Sequence, residues 1–414
     1  MSLVDFNPQI PTVMHLDLNS CFATIEQQAN PLLRGKPIAV AAYTTPSGCI
    51  LAPSIEAKRY GIKTGMRVKD GKALYPNLII LPNDPWKYRA IHLKLKRLLS
   101  SYTDRITPKS IDEFVLNLNG FPAFQRGMTT VAGEIKQRIK KEIGEWLTIS
   151  VGIAPNCFLA KTGAGLHKPD GLDEINQKNF LEIYQKLQLT DLCGIKERNT
   201  ARLNQKGIFT VLDFYQASVT QLKATFNSIA GYYWYLRLHG WEIDDFPSNR
   251  QSFGNSFALP QPFTSPPELL PILHKLVEKT AQRLRKAGYQ TQGVHLSFLY
   301  RDFSYWHQGR TLIKPIFASG DIYKAVNQLF LNCPYRKPVR QIAVSCFRLI
   351  KATSQQLDFF SQSAKKENLT KALDLLNNRW GDFAVGPAIL LKTKKEVHDR
   401  IAFGGVKELE EFIL

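Results

Sequence analysis

Short apolar runs alternate with amphipathic segments in the first part of the chain. Residues 12–18 alternate apolar and polar positions, as a strand does, and Phe22, Ile25 and Ala29 then lie on one helical face. The same reasoning predicts strands at residues 38–43, 50–52, 110–118 and 147–153, and helices at residues 85–102, 131–143 and 156–164. Strands that alternate with helices, mostly beyond hairpin distance, predict a mixed α/β domain.

The pattern changes in the second half of the chain. Residues 179–240 have short helical patterns interrupted by Gly194, Gly207 and Gly231, which predicts a small helical domain. The polar residues 244–251 are typical of a linker. After them we expect strands at residues 255–259, 294–300, 310–316 and 341–349, and helices at residues 268–287 and 322–331. These elements predict a compact α+β domain.

Charge distinguishes this last domain from the rest. The 414-residue chain has 54 Lys and Arg against 35 Asp and Glu, with 44% hydrophobic residues, which excludes a disordered chain. Residues 251–350 alone contain 13 basic and 4 acidic residues, close to half of the net charge of +19. Such an excess attracts polyanions, either nucleic acid or an anionic membrane surface, although solubility explains it equally well.

The six cysteines give no sign of a metal site or a disulfide framework. They are scattered, with no CxxC pair, and we expect buried free thiols at Cys21, Cys49, Cys157, Cys193, Cys333 and Cys346. The first residues lack the basic and apolar regions of a signal peptide, and no run of about 18 uncharged apolar residues occurs. We therefore expect a cytoplasmic protein.

Three carboxylates stand at strand ends. Asp17 closes the first predicted strand, and Asp112 and Glu113 lie near the start of another, so one sheet edge could hold all three. Hard cations such as Mg²⁺ prefer carboxylate oxygens. Adjacent strand residues point to opposite faces, so Asp112 and Glu113 can share a metal only at a turn or bulge. The alternative is a solvated strand end without a ligand.

Five segments together resemble the Y-family translesion DNA polymerases, in the order and at the spacing of that family. They are MHLDLNSCFATIEQQANPLLRGKPIAV, IEAKRYGIKTGM, SIDEFVLNL, SVGIAPNCFLAKTGAGLHKPDGL and CGIKERNTARLNQKGI. The resemblance is best to the bacterial DNA polymerase IV (DinB-like) and polymerase V catalytic subunit (UmuC-like) branches. It implies a multidomain α/β and α+β right-hand fold: palm (10–20 and 83–172), fingers (21–82), helical thumb (173–246), basic little finger (251–350) and C-terminal tail (351–414).

The resemblance also implies a catalytic site. Asp17, Asp112 and Glu113 resemble the catalytic carboxylates that bind two Mg²⁺ ions, for which Mn²⁺ can substitute, and Leu18 would add its backbone carbonyl. The expected reaction is attack of a primer 3′-hydroxyl on the α-phosphate of a deoxynucleoside triphosphate. Phe22, five residues after Asp17, matches the aromatic steric gate that excludes a 2′-hydroxyl. A Phe on an amphipathic helix is otherwise a core residue.

Further residues match the substrate sites of the family. Lys168 resembles the lysine that contacts the triphosphate, and Cys49 and Leu51 match the roof over the nascent base pair. Where many members present Thr, Tyr and Arg to the triphosphate, this sequence has Ala52, Ile55 and Lys58. Solvated or core positions are the alternatives for Lys168, Cys49 and Leu51. Because Lys replaces a forked guanidinium by a point charge, we expect weaker nucleotide binding.

The remaining matches concern DNA and a protein partner. Residues 193–208 resemble a helix-hairpin-helix in which Lys196 replaces the usual second glycine. In the little finger we expect one charged sheet face that binds DNA, with Arg301, Arg310, Lys314, Arg340 and Arg348. Residues 356–360 resemble the peptide that docks bacterial polymerases onto the sliding clamp, through Gln356, Leu357, Phe359 and Phe360. We expect a monomer.

Two other functions remain open at this point. A catalytically inactive polymerase-like adaptor would keep the DNA and clamp contacts and perform no chemistry. Three mutually repelling carboxylates argue against it, since an adaptor has no need for them. A non-polymerase nucleotidyl transferase or nuclease with a similar metal site is disfavoured by Phe22 and the basic last domain.

Overall fold

A computed structural model describes residues 5–244, 250–334, 337–352, 363–381 and 383–393. Within these ranges the chain forms two compact units, one of residues up to 244 and one of residues from 250 onwards. The predicted clamp peptide, residues 356–360, and most of the predicted linker lie outside the described residues. Among the described residues, no helix is both long and apolar enough to cross a membrane.

The first unit contains two sheets. Its strands are β1 (Val13–Leu18), β2 (Ile38–Ala41), β3 (Ile50–Pro53), β4 (Ile79–Pro82), β5 (Ile106–Pro108), β6 (Glu113–Asn117), β7 (Ile149–Ala154) and β8 (Leu172–Glu174). A five-stranded sheet has the order β5-β6-β1-β7-β8, and a three-stranded sheet has the order β3-β2-β4. The central strand β1 is antiparallel to both β6 and β7.

Helices cover both faces of the five-stranded sheet, which confirms the predicted α/β architecture. The helices of this region are α1 (Cys21–Ala29), α2 (Ile55–Arg59), α3 (Val68–Leu74), α4 (Pro85–Leu99), α5 (Pro122–Gln125), α6 (Met128–Arg138) and α7 (Cys157–Leu166). Met14 and Leu16 of β1 belong to the core that contains Phe22, Tyr88 and Val131. Alternate residues of β1 face the other side, so Val13 packs in the core of Phe158 and Leu159 on α7.

Several predicted elements differ in extent from the observed ones, and two of them differ by a turn or a bend. The strand predicted at residues 110–118 begins only at Glu113, because residues 110–112 form a bend. The helix predicted at residues 131–143 starts earlier, at Met128, and its last turn is a π-helix (Ile139–Ile143). The domain boundary predicted between residues 172 and 173 falls within β8 (Leu172–Glu174).

A close approach of α7 to the sheet depends on Gly152 of β7. A Cβ at this position would lie 2.0 Å from the Ala160 carbonyl oxygen and 2.2 Å from the Ala164 amide nitrogen. Gly152 is paired with His15 across the β1–β7 ladder. The missing side chain therefore lets α7 lie directly on the part of the sheet that carries His15.

Short helices complete the first unit, as the sequence predicts for residues 179–240. They are α8 (Phe180–Lys186), α9 (Glu197–Asn204), α10 (Val211–Gln216), α11 (Val219–Phe226) and α12 (Ala230–Leu238). Tyr184, Phe214 and Trp234 form part of their shared core. Gly231 lets α12 pack tightly on α11, since a Cβ there would lie 2.3 Å from the Leu222 carbonyl carbon.

The second unit is a four-stranded antiparallel sheet with helices on one face. It consists of β9 (Ser252–Phe263), α13 (Pro266–Lys286), β10 (Tyr289–Tyr300), β11 (Tyr305–Ile316), α14 (Ser319–Leu331), β12 (Val339–Lys351) and α15 (Ser363–Trp380). The strand order is β11-β10-β12-β9. Inward residues such as Val294 and Phe298 share a core with Leu276 of α13 and Val326 of α14. The predicted α+β domain is confirmed, with longer strands.

Residues beyond the predicted little finger pack back onto this second unit. Arg285 of α13 donates to both carboxylate oxygens of Asp374 on α15, at 2.7 and 2.6 Å. Lys366 of α15 pairs with Asp321 of α14 at 2.8 Å. The buried Lys275 donates to the carbonyl of Thr393 at 2.7 Å, in the last 3₁₀ turn (Ala388–Thr393). The described part of the tail is therefore integral to this unit.

Candidate active site

The three predicted carboxylates meet at the ends of two neighbouring strands. Asp17, near the end of β1, is paired with Glu113, the first residue of β6. Asp112 lies in the bend just before β6, and its carbonyl accepts a hydrogen bond from the Leu18 amide at 2.9 Å. Adjacent residues within a strand point to opposite faces of the sheet. Because Asp112 lies in the bend and not in β6, its side chain can line the same cavity as that of Glu113.

A cavity of about 840 Å³ opens over these carboxylates. Its lining includes most of the residues that the sequence assigns to the catalytic and nucleotide sites: Asp17, Leu18, Phe22, Leu51, Ala52, Ile55, Lys58, Asp112, Glu113 and Lys168. Arg59 also lines the cavity, whereas Cys49 is exposed and is not part of the lining. Phe22 is both a core residue, at 5% exposure, and a wall of the cavity.

Two lysines pair with two of the carboxylates. Lys168 donates to Oδ2 of Asp17 at 2.5 Å, and Lys161 of α7 donates to Oε2 of Glu113 at 2.7 Å. The Ser110 hydroxyl donates to Oδ1 of Asp112. Lys161 was not predicted, although it lies seven residues before Lys168 in the same segment, because its approach to Glu113 depends on the packing of α7.

Burial dominates the electrostatics of the site. It raises the pKa of Asp17, although the charge of Lys168 and its hydrogen bond act in the opposite direction. Burial also raises the pKa of Asp112, with Ser110 opposing the shift. The pKa of Lys58 is lowered by burial and by the charge of Lys168. These charges are closely packed and poorly solvated, which suits a site that binds ionic ligands.

His15 is a site residue that the sequence analysis missed. It lies two residues before Asp17 on the same face of β1, and its Nε2 is 3.7 Å from Oε2 of Glu113. Burial lowers its pKa to about 4, so the ring is neutral near pH 7. The signal available in the sequence was a polar residue at an alternate strand position beside Asp17.

The donor set fits a divalent cation. One ligand atom each from His15, Asp17 and Glu113 lies within 4.8 Å of the other two, and Asp112 lines the same cavity. Carboxylate oxygens are the ligands that Mg²⁺ and Mn²⁺ take in proteins. The site can therefore hold a metal ion, and the donor atoms favour a hard one.

A second cavity, of about 580 Å³, lies at the predicted helix-hairpin-helix. Lys196 is the residue before α9, and its ammonium donates to the Thr190 carbonyl at 3.0 Å. Arg198 and Arg202 of α9 line the same cavity. Glu197 lines the cavity too, so three cations and one carboxylate give it a net positive charge, which favours an anionic ligand.

The predicted DNA-binding residues of the second unit do not all share one sheet face. Arg310 of β11 is paired with Val294, which is buried beneath the helices, and its guanidinium donates to Gln328 of α14. Arg310 thus lies on the helix side, which corrects the predicted single charged face. Arg301, Lys314 and Arg348 are exposed, and Arg340 lies 4.9 Å from the ring of Phe303.

Comparisons with known proteins agree with this architecture. The profile of the impB/mucB/samB family matches residues 16–164, and that of its C-terminal domain matches residues 250–359. The chain is 30% identical to the DNA polymerase IV of Pelotomaculum thermopropionicum, over 94% of this chain and 97% of the relative. It is 32% identical to the DNA polymerase IV of Moorella thermoacetica, over 92% and 96%.

Solved structures give the same result. A chimera of the Y-family DNA polymerases Dbh and Dpo4 has a TM-score of 0.72 at 26% identity, covering 82% of this chain and 99% of that one. An insertion ternary complex of Dbh DNA polymerase has a TM-score of 0.57 at 26% identity and the same coverage. Sequence motifs, fold and relatives therefore agree: the chain belongs to the impB/mucB/samB family and is a DinB-like Y-family translesion DNA polymerase.

Proposed function

We propose that Asp17, Asp112 and Glu113 bind the divalent cations with which this polymerase adds deoxynucleotides to a primer 3′ end. The observation that carries the proposal is the pairing of Asp17 with Glu113 across β1 and β6, with Asp112 in the adjoining bend and all three in one cavity. Two Mg²⁺ ions, or Mn²⁺ in their place, would neutralise charge on the attacking and leaving oxygens. Leu18 would contribute its carbonyl oxygen.

The other residues of the cavity bind and select the nucleotide in this proposal. The ammonium groups of Lys168 and Lys58 contact the triphosphate, and Arg59 lies in the same wall. Phe22 occupies the volume beneath the sugar and excludes a 2′-hydroxyl by its bulk. Leu51 contributes to the roof over the base pair, while the exposure of Cys49 gives that residue less support.

Primer–template DNA is the second substrate in the proposal. Lys196, Arg198 and Arg202 bind a backbone phosphate at the helix-hairpin-helix, without reading bases. Exposed cations of the second unit, Arg301, Lys314 and Arg348, add further phosphate contacts. We assign the five-stranded sheet to the palm, the three-stranded sheet to the fingers, α8–α12 to the thumb and the second unit to the little finger.

A sliding clamp is the proposed protein partner of a monomeric polymerase. The support is the sequence of residues 356–360, where two adjacent Phe occur in a polar segment. Replacing Phe359 and Phe360 together by Ala is expected to abolish stimulation by the bacterial clamp and to leave clamp-free extension unchanged. Equal loss in both assays would show that the two residues are structural.

Primer extension tests the metal site. Asp17→Ala or Asp112→Ala is expected to abolish nucleotide addition in Mg²⁺ and in Mn²⁺, while primer–template affinity stays close to that of the parent protein. The affinity is retained because it depends on basic residues outside the cavity. Extension by either variant at near the parent rate would refute the metal assignment. The inactive adaptor has no support among the polymerase relatives, and extension by the parent protein would exclude it.

A further inference from the structure

His15 is a buried polar side chain without a partner. It is 1% exposed, and neither ring nitrogen has a hydrogen bond within the described part of the chain. A buried polar group without a hydrogen bond destabilises the folded state, so its presence needs an explanation. An apolar residue at this position would avoid that cost, as Val13 does on the same face of β1.

The strand register directs His15 towards one carboxylate. His15 and Asp17 are two residues apart on β1 and share a face, and Asp17 is paired with Glu113. His15 and Glu113 are therefore diagonal neighbours across the β1–β6 ladder, which is the relationship within reach of long side chains. The resulting distance between Nε2 of His15 and Oε2 of Glu113 is 3.7 Å.

A second group acts on the same oxygen. Lys161 of α7 donates to Oε2 of Glu113 at 2.7 Å. Gly152 makes this possible, because it lets α7 approach the sheet over His15. Oε1 of Glu113 has no hydrogen-bond partner among the described residues. One carboxylate oxygen is thus held by the protein while the other remains available to a ligand.

We infer that His15 is a positioning residue for Glu113: its imidazole supports Oε2, together with Lys161, and so orients Oε1 towards the metal site. Loss of a group that orients a metal ligand typically lowers metal affinity or activity by about 10- to 100-fold. At 3.7 Å, Nε2 of His15 and Oε2 of Glu113 are not hydrogen-bonded, and catalytic hydrogen bonds often form or tighten only in the loaded enzyme. The inference rests on the proposed metal-binding role of Glu113.

Two variants of His15 that differ mainly in reach test the inference. In His15→Gln the amide nitrogen lies near the position of Nε2, so it can still donate to Glu113. In His15→Asn the amide stops near the position of Nδ1 and cannot reach. Both variants stay polar, so similar losses of folding stability are expected, and thermal unfolding checks this. The matched control is His239→Gln, which alters another buried histidine, bonded to the Tyr235 carbonyl in the helical region.

Two quantities are measured. The first is the affinity of the full-length protein, with primer–template bound, for Mn²⁺, in a titration that detects the free ion by electron paramagnetic resonance. The second is the Mg²⁺ concentration that gives half-maximal primer extension. We expect His15→Asn to weaken Mn²⁺ binding and to raise the Mg²⁺ requirement by about 10-fold or more. In His15→Gln and His239→Gln, the Mn²⁺ affinity and the Mg²⁺ requirement should each stay within about 3-fold of the parent values, which is well below the tenfold change expected for His15→Asn.

Two results would overturn the inference. Equal metal binding by folded His15→Asn and the parent protein would make His15 a packing residue, and so would equal losses in His15→Asn and His15→Gln. Glu113→Ala separates this inference from the proposed function. If Glu113→Ala abolishes Mn²⁺ binding while both His15 variants bind normally, only the role of His15 fails. If Glu113→Ala binds Mn²⁺ as the parent does, the metal site itself is wrong.

Discussion

Tyr88 stacks on Phe22, with the ring centroids 4.3 Å apart and the ring planes 11° apart. The Tyr88 hydroxyl donates to Oε1 of Glu26 at 2.9 Å, and Lys87 pairs with Oε2 of the same residue at 2.6 Å. Glu26 lies one turn after Phe22 on α1. The fully buried ring of Tyr88, on α4, therefore holds the ring of Phe22, the proposed steric gate, in place.

Removal of the gate side chain is expected to admit ribonucleotides. Phe22→Ala takes away the bulk that would meet a 2′-hydroxyl, so the ratio of deoxynucleotide to ribonucleotide kcat/KM should fall at least about 10-fold, or 1.4 kcal/mol of selectivity. The rate with deoxynucleotides serves as the internal control and should be largely kept. An unchanged ratio in a folded variant would make Phe22 a core residue only.

Loss of the stacking partner should have a smaller effect of the same kind. Tyr88→Leu leaves Phe22 in place but frees its ring to move, so we expect a partial loss of sugar selectivity and a lower free energy of unfolding, by about 2–4 kcal/mol. Combined with Phe22→Ala, it should cause no further loss of selectivity, because it acts through Phe22. The matched control is Tyr184→Leu, which removes another fully buried tyrosine far along the chain.

That control should lose stability and keep its sugar selectivity. Sugar selectivity and the free energy of unfolding are measured on five proteins. They are the parent, Phe22→Ala, Tyr88→Leu, the double variant and the control Tyr184→Leu. If the double variant discriminates less than Phe22→Ala alone, Tyr88 contributes by a route that does not pass through Phe22.

Lys58 is expected to govern the KM for nucleotides. Its side chain lines the cavity near Lys168 and Asp17, and burial lowers its pKa. Lys58→Ala should raise KM about tenfold, since a hydrogen bond to a charged group contributes about 1.5–3 kcal/mol. Lys58→Arg should lower KM, because guanidinium can donate two bonds to a phosphate. Steady-state kinetics measure both.

Lys63 provides the control for this series. It is exposed, on the same segment, and is not part of the cavity lining. Lys63→Ala should leave KM unchanged. If Lys58→Ala leaves KM unchanged, the triphosphate is bound by other cations of the cavity, such as Arg59.

DNA affinity should fall steeply as the salt concentration rises. The cavity lined by Lys196, Arg198 and Arg202 should account for part of this salt dependence. Phosphate contacts release counterions, so each contact contributes about 0.9 to the slope of log K against log salt concentration. Lys196→Ala with Arg202→Ala is therefore expected to reduce the slope by about one or two. Lys186→Ala, an exposed lysine paired with Glu182 on α8, should not change it. Fluorescence anisotropy with a labelled primer–template measures the slopes.

The sequence predicted those site residues that a motif carries. Asp17, Asp112 and Phe22 each lie in a segment that resembles the family, and all three line the cavity. His15 was missed because its approach to Glu113 follows from the register between β1 and β6, and Lys161 because its approach follows from the packing of α7 across Gly152. No local pattern reports a contact between segments so far apart.

The same reasoning explains the errors in the second unit. Arg310 lies in the regular part of the β10–β11 ladder, four residues after Trp306, which packs against the core, so both side chains are on the helix side. The sequence pattern alternates basic and apolar residues but does not show which face of the strand the helices cover. The packing of α15 was equally invisible, because it rests on the distant pair of Arg285 and Asp374.

That pair predicts how residues should co-vary among relatives of different length. Arg285 is 13% exposed at its side chain, and Asp374 supplies its only carboxylate among the described residues. A nearly buried cation that loses its partner costs about 3–5 kcal/mol. Relatives that end before α15 should therefore carry an uncharged residue at the position of Arg285, whereas those that keep α15 should keep both charges. The length of the tail and the chemistry of α13 would then evolve together.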